Sequence, residues 1–429
     1  MRHFVLIALL ALPAAALDFQ DRNAVVAAAV ETHPTLTRLR AEAGAARERI
    51  APAASLPNPM LMAGVQNKQI DLRDDEMMTM HMVGISQTMT RPEKREARRN
   101  VAELEALAID KQIDSARAEI ERDVLLAWYD LATADAQLHA TAAVREMIDA
   151  IVAAARVRYE VGTSEQADVI RAQLQQSNLE HETLRLRASR RAAAARLLPL
   201  LGMPLDTDIP AIAMPENTDD LAIDASTAPP ADHPAIVSLE AEVSRAEEEI
   251  RLAKLALKPD FDLEAQYGFR RLQRDMFSVT ARIELPLRRA QTIEPRVREA
   301  ILRRDVLKSR IEELRRELTQ ALAASFVAHE EATSQMKFHA AVLVPQAQLA
   351  FESTLGAYQT GKVPFDAILE TETAYLRLRL QYFDFLAQHA QAVVNYEALR
   401  RGARGTSSIS RAGAGGPSGR TSTRTMGSM

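Results

Sequence analysis

Apolar positions along this chain follow two periods, and the two alternate in a fixed order. Ile113, Ala116, Ile120, Val124, Ala127, Leu131, Ala134 and Leu138 are spaced 3, 4, 4, 3, 4, 3 and 4 residues apart, and Leu307, Ile311, Leu314, Leu318, Ala321 and Ser325 repeat this at 4, 3, 4, 3 and 4. So narrow a stripe predicts long, coiled-coil-like helices. No strong breaker lies between Pro92 and Tyr159, so the first helix is roughly 100 Å long at the α-helical rise. Thr90-Arg91-Pro92-Glu93 before it has the form of a capping box with Pro in the first turn. The second helix starts near Thr292, with a kink expected at Pro345. Gly162-Thr163 and Gly361-Lys362 break the long helices, and return helices run to Leu201-Gly202-Met203-Pro204 and to Arg401-Gly402. Extended stretches precede each long helix: Met60 to Gln66 and Met77 to Met89, then Phe261 to Gly268 and Met276 to Leu287. Tyr375 to Tyr382 alternates like a strand, but its place within the second return helix overrides that period.

The same order occurs twice. His33-Pro34 returns as His233-Pro234, and Leu39, Glu42, Ala46, Glu48, Ile50, Pro59 and Gln66 return as Leu239, Glu242, Ala246, Glu248, Ile250, Pro259 and Gln266. Tyr159-x-x-Gly162 returns as Tyr358-x-x-Gly361. A repeat this long is one large unit used twice about a pseudo-symmetry axis, not a solenoid of short units. The expected organisation is a signal peptide at 1–16, a first repeat at 17–205 and a linker at 206–232. A second repeat at 233–401 and a Gly/Ser/Arg-rich tail at 402–429, disordered by composition, complete it. Within the repeats the strands are expected at about 60–89 and 261–287, the long helices at about 92–160 and 293–360, and the return helices at about 164–201 and 364–401.

Composition narrows the function. A net charge of −5 leaves no basic excess to neutralise phosphates, which excludes a general nucleic-acid binder. With no cysteine there are no disulfides, thiolate sites or Cys nucleophile. Arg2-His3, the apolar run Phe4 to Leu12 and Ala14-Ala15-Ala16 make a secretory signal, with cleavage after Ala16. No other apolar run approaches the ~20 residues of a membrane-spanning helix, so any insertion must be by strands. Four strands cannot close a barrel, and open edges are not tolerated in lipid, so several chains would have to share one; three would supply twelve strands. The same strands could instead be hairpins capping a soluble helical rod.

These residues together resemble the TolC-type outer-membrane efflux channel family. The resemblance runs from Asp18 to about Arg401: the doubled His-Pro start, Leu56-Pro57-Asn58-Pro59, Gly84-Ile85-Ser86-Gln87, Glu284-Leu285-Pro286-Leu287, Val344-Pro345-Gln346-Ala347 and the two Tyr-x-x-Gly turns. The Pro-Asn-Pro-Met and Gly-Ile-Ser-Gln wording is nearest the heavy-metal branch. The resemblance implies a mainly α fold with a β-barrel portion. Three chains would form a 12-stranded outer-membrane barrel continued by a periplasmic α-helical barrel. It further implies an exit duct of a tripartite pump, with a periplasmic adaptor, an inner-membrane transporter of the RND type, no cofactor and no reaction. Metal cations are favoured slightly over drugs as cargo. The rival reading is a soluble periplasmic coiled-coil adaptor or scaffold, although adaptors carry one hairpin and a Gly-rich lipoyl-like domain, whereas here there are two hairpins and 15 Gly.

The resemblance also assigns sites. Val161-Gly162-Thr163 has the family's tip motif and Thr360-Gly361-Lys362 keeps its Gly, so both tips are expected to contact an adaptor. Tyr358 and Asp168 correspond to tip-linking residues, but the linking Arg is replaced by Val363. Of two ring carboxylates the first is Ala367 and the second Glu370, with Asp366 nearby. Inward acids in a trimer would favour cations, and a solvated helix face is the alternative. Met60, Met62, Met77, Met78, Met80, Met82 and Met89 crowd one strand pair. Met78, Met80 and Met82 share a strand face and are candidate soft-metal ligands; the competing reading is apolar residues facing lipid. Gly356 to Lys362 imitates a phosphate loop but follows a helix and has Val363 where Ser/Thr belongs, and His329-Glu330-Glu331 lacks the second His of a zinc-protease helix.

Overall fold

The computed structural model describes residues 17–68, 79–215, 223, 226–271 and 273–404. The expected signal segment, Met77, Met78, the loop around Asp71 and most of the tail lie outside these residues. Among the described residues the chain is helical apart from one small sheet. The first half comprises α1 (Arg22–Thr32), α2 (Pro34–Glu48), α3 (Ile50–Ala54), β1 (Met60–Gln66), β2 (Met80–Met89), α4 (Pro92–Glu160) and α5 (Gln166–Leu200). The second comprises α6 (Pro234–Leu255), β3 (Phe261–Phe269), β4 (Met276–Ile283), α7 (Arg289–Phe338), α8 (Val344–Gln359) and α9 (Phe365–Arg401). Tyr375 to Tyr382 is helical, as its place in the repeat demands.

α4 has 69 residues and serves as the spine on which α1, α2, α3, α5, α6 and α9 pack. Its buried stripe is rich in alanine, which lets neighbouring helices approach closely, and carries few large anchors. Trp128 and Tyr129 are the largest of these, crossed edge to face at 5.1 Å, and Trp128 Nε1 donates to the Phe19 carbonyl at 2.8 Å. The inter-repeat segment is strapped on here. Asp135 accepts the Ile212 amide at 2.9 Å and the Arg190 guanidinium, while Gln20 brackets Ala211 and Ala213.

Three terminators depart from the expected chemistry. The capping box at Thr90 does not form, because Arg91 is the N-cap residue and makes no side-chain cap. Instead the other repeat secures this end: Asp260 accepts the Arg91 amide at 3.1 Å and pairs with buried Lys94, and Lys258 pairs with Glu93. The two His-Pro pairs have also diverged. His33 Nδ1 caps α2 by accepting the Thr35 amide, whereas buried His233 directs Nε2 to the Leu399 carbonyl at 2.9 Å. Near Pro345 the long second helix is interrupted by a π-helical turn, His339–Leu343, which accommodates the missing proline donor. Gly162, Gly202 and Gly361 end their helices with φ of +72, +67 and +74°, values that favour glycine.

The sheet runs β1-β2-β3-β4, every pair antiparallel, so β2 and β3 join the two repeats. Register sorts it into two unlike faces. Leu61, Ala63, Val65, Val83, Ile85, Phe261, Leu263, Ala265, Tyr267, Phe269, Phe277, Val279 and Ile283 lie on one face. Gln66, Ser86, Thr88, Asp262, Glu264, Gln266, Ser278, Thr280 and Arg282 lie on the other. Among the described residues no helix packs across either face, and β4 is exposed throughout.

Buried His389 faces the His329 ring at 4.8 Å and hydrogen-bonds Thr333 Oγ1 through Nδ1. Burial, with help from His329 and Lys337, lowers its pKa from 6.5 to about 4. An unfolded chain therefore takes up a proton that the folded one refuses. Stability should fall as pH drops from about 6.5 to about 4, by an amount of order 3 kcal/mol, and then level off. His389→Gln should flatten that dependence, as read by thermal melts across this range.

Candidate functional site

The four helix ends at 160, 166, 359 and 365 meet in one apolar cluster, in which Ile151, Val152, Phe351, Tyr358, Phe365 and Ile368 are buried. This brings the two tips together. Arg158, from α4, donates to the Tyr358 carbonyl at 3.0 Å and lays its guanidinium 4.6 Å from that ring's centroid. The Tyr358 hydroxyl is buried without a hydrogen-bond partner, so no bond links it to Asp168. Burial raises its pKa, with the Asp168 charge adding to that and Arg158 opposing it.

A second link joins the return helices α5 and α9. Arg171 reaches Asp366 at 2.9 Å and stands 4.0 Å from Asp168. An arginine is therefore present at this site although position 363 is Val; it comes from the first repeat. Asp366 is consequently paired, whereas Glu370 is exposed. Val161, Gly162, Thr163, Thr360, Gly361 and Lys362 are all exposed, and the Thr163 hydroxyl closes its turn on the Arg158 carbonyl at 3.0 Å.

Sequence reasoning missed Arg158, Arg171 and Glu372. Arg171 sits one turn after Asp168, the only local sign of its pairing. Glu372 lies two residues beyond Glu370 and had no signal at all. It is completely buried between the return helices, where Gln175 Nε2 donates to its Oε2 at 2.6 Å and Oε1 has no partner. Burial pushes its carboxyl pKa up, against the Gln175 and Thr373 hydrogen bonds. Ionising a carboxylate there works against the α5–α9 contact.

On the sheet, Met60, Met62, Met80 and Met82 lie on the polar face with Gln66, Ser86 and Glu264. Among the described residues of this Met cluster, Met89 lies on the apolar face, with His81. Pairing register thus puts these four methionines on the face opposite Leu61, Val83 and Ile85. Met78 falls outside the described residues. His329 is stacked on His389, and Gly356 lies inside α8, so neither discarded motif has a place for its chemistry.

The family model of the outer membrane efflux protein matches residues 25–203 and 230–400, one segment for each repeat. No curated protein matches the chain in sequence. Its fold is similar to solved outer-membrane channels. The outer membrane protein VceC of Vibrio cholerae shares 18% identity at a TM-score of 0.72, over 89% of this chain and 96% of that one. The open state of the MtrE channel of Neisseria gonorrhoeae shares 15% at 0.75, over 89% of each. The CmeC channel of Campylobacter jejuni shares 14% at 0.73, over 90% and 87%. With the family model matched over both copies of the strand-pair and long-helix unit, the chain belongs to the outer membrane efflux protein family and is an outer-membrane protein.

Proposed function

We propose that this protein is the exit duct of a tripartite efflux pump and catalyses no reaction. The observation that carries this reading is the sheet: an apolar face that nothing covers, a polar face opposite, and two open edges. Three chains placed edge to edge make a 12-stranded barrel with the apolar face toward lipid and the polar face toward a lumen. Tyr267, Phe269 and Phe277 at one end of the apolar face, and Phe261 at the other, sit where aromatic girdles sit in such barrels. The helices continue the lumen through the periplasm. Cargo passes passively, and a partner in the inner membrane, of RND type, supplies the energy. Metal cations are favoured over drugs by the sheet's thioethers. The soluble adaptor reading loses ground because it leaves the apolar face exposed to water.

The tips meet an adaptor through Val161 to Thr163 and Thr360 to Lys362, and shut the tube through the two arginine links. Asp168, Tyr358 and Asp366 belong to that closure, and Glu370 faces the passage as the remaining free acid. Opening separates α5 from α9, and buried Glu372 lowers the cost of doing so when ionised.

Val279→Arg puts a cation on the apolar face and should cost about 2–4 kcal/mol per chain near the bilayer midplane. It should abolish the heat-resistant trimer in outer-membrane extracts, whereas Ser278→Arg, on the other face, should leave the trimer in place. Wild-type protein released as a monomer by osmotic shock would refute the duct.

Arg171→Ala should barely change stability, since half-exposed ion pairs are worth about 0.2–1 kcal/mol. It should nevertheless raise resting conductance in planar bilayers. Conductance unchanged both in this variant and in Arg158→Ala would remove these links from the gate.

A further inference from the structure

Three methionines converge on one glycine of the polar face. Gly268 on β3 has Met82 and Met276 as its register partners on either side. Met80 lays its thioether across the same residue: a Cβ built on Gly268 would collide with the Met80 sulfur. Adjacent strands are 4.7–4.9 Å apart, so Met82 and Met276 stand one strand to either side of Gly268, over which the Met80 sulfur lies.

The surroundings repeat this theme. Met62 opposes Gly84, and Met82 opposes Gly64 as well as Gly268. Methionine and glycine thus alternate across four strands. Glycine weakens a strand and marks places where something approaches the backbone closely. Here it clears the space in which long unbranched side chains lie along the sheet. Apolar packing does not explain the arrangement, because this face carries Gln66, Ser86, Glu264, Gln266 and Ser278, and Met276 remains 44% exposed. Of the nearby carboxylates, Glu264 on this face is committed to Arg282, and Asp275 beside Met276 accepts from the Tyr267 hydroxyl and the Arg270 amide. Thioethers without carboxylates suit neither Mg²⁺ nor Ca²⁺; they are soft ligands that select monovalent copper and its silver analogue.

The geometry points to a binding site for a soft monovalent cation, Cu(I) or Ag(I), formed by Met80, Met82 and Met276 around Gly268, with Met62 the next ligand along the sheet. It rests on the duct reading, which makes the polar face a lumen and places three such sites in a ring. The cation is cargo there: neutral thioethers hold it weakly enough to pass it on, as conduction requires. The set draws on both repeats, since Met80 and Met82 come from the first and Met276 from the second.

Silver is the probe of choice because it is redox-inert. Full-length protein in detergent is titrated with silver nitrate in chloride-free buffer, and the same preparations are tested for potassium conductance in planar bilayers. Wild type should bind silver. Met80→Leu/Met82→Leu/Met276→Leu should bind at least about tenfold more weakly, the scale on which disturbed ligand shells lose affinity. Gly268→Ala should weaken binding as well, because its methyl group displaces Met80. Both variants should keep wild-type potassium conductance. Conductance present with equal silver affinity in all three overturns the site alone, and a wild type that conducts no potassium overturns the duct.

Discussion

A strand that crosses lipid cannot leave its N–H and C=O groups unpaired, since each would cost several kcal/mol with no water to receive it. This chain folds four strands into one sheet and leaves the outer edges of β1 and β4 without neighbours. The sheet is also amphipathic by register and uncovered by its own helices. A single chain is therefore unfinished. Its edges want strands, its apolar face wants hydrocarbon, and both are met together only when copies join edge to edge. The helices inherit that symmetry. Because β2 pairs with β3, the two repeats stand side by side, each strand pair followed by its own long helix, α4 or α7.

Keeping a helix of 69 residues attached to such a sheet requires firm joints. The joint at the top of α4 is made across repeats, by Asp260 on the Arg91 amide and on Lys94, not by the local cap that the sequence suggested. The inter-repeat strap performs the same service in the middle, through Asp135 and Arg190. The first joint ties one repeat to the other, and the second ties the linker between them to the first repeat.

What could be read in the sequence follows from how local its cause is. Helix length, the glycine turns at Gly162 and Gly361 and the strand positions depend on spacing and on φ, and these are properties of neighbouring residues. The helical fate of Tyr375 to Tyr382 was legible only because the duplication supplied context that alternation lacked. The failures are all long-range. Asp260 capping another repeat, Arg171 reaching Asp366 and the burial of Glu372 each join residues far apart in sequence. The facing of the methionines belongs here too: a slip of one residue exchanges the faces of a strand, and only the paired register fixes it.

The two repeats differ in ways that serve one another. The second has Val363 where the resemblance expects an arginine, and Arg158 and Arg171 of the first reach across to Tyr358 and Asp366. Both links are contacts between repeats, and any motion that parts α5 from α9 must break the one between Arg171 and Asp366. Glu372 sits between those helices with a carboxyl whose ionised form is disfavoured by burial. Protonation favours contact and ionisation favours separation, because the folded pKa lies above the usual carboxylate value and the penalty grows as pH rises through it. The exposed Arg171–Asp366 pair and buried Glu372 therefore act on one α5–α9 contact, the first holding it and the second, when ionised, working against it.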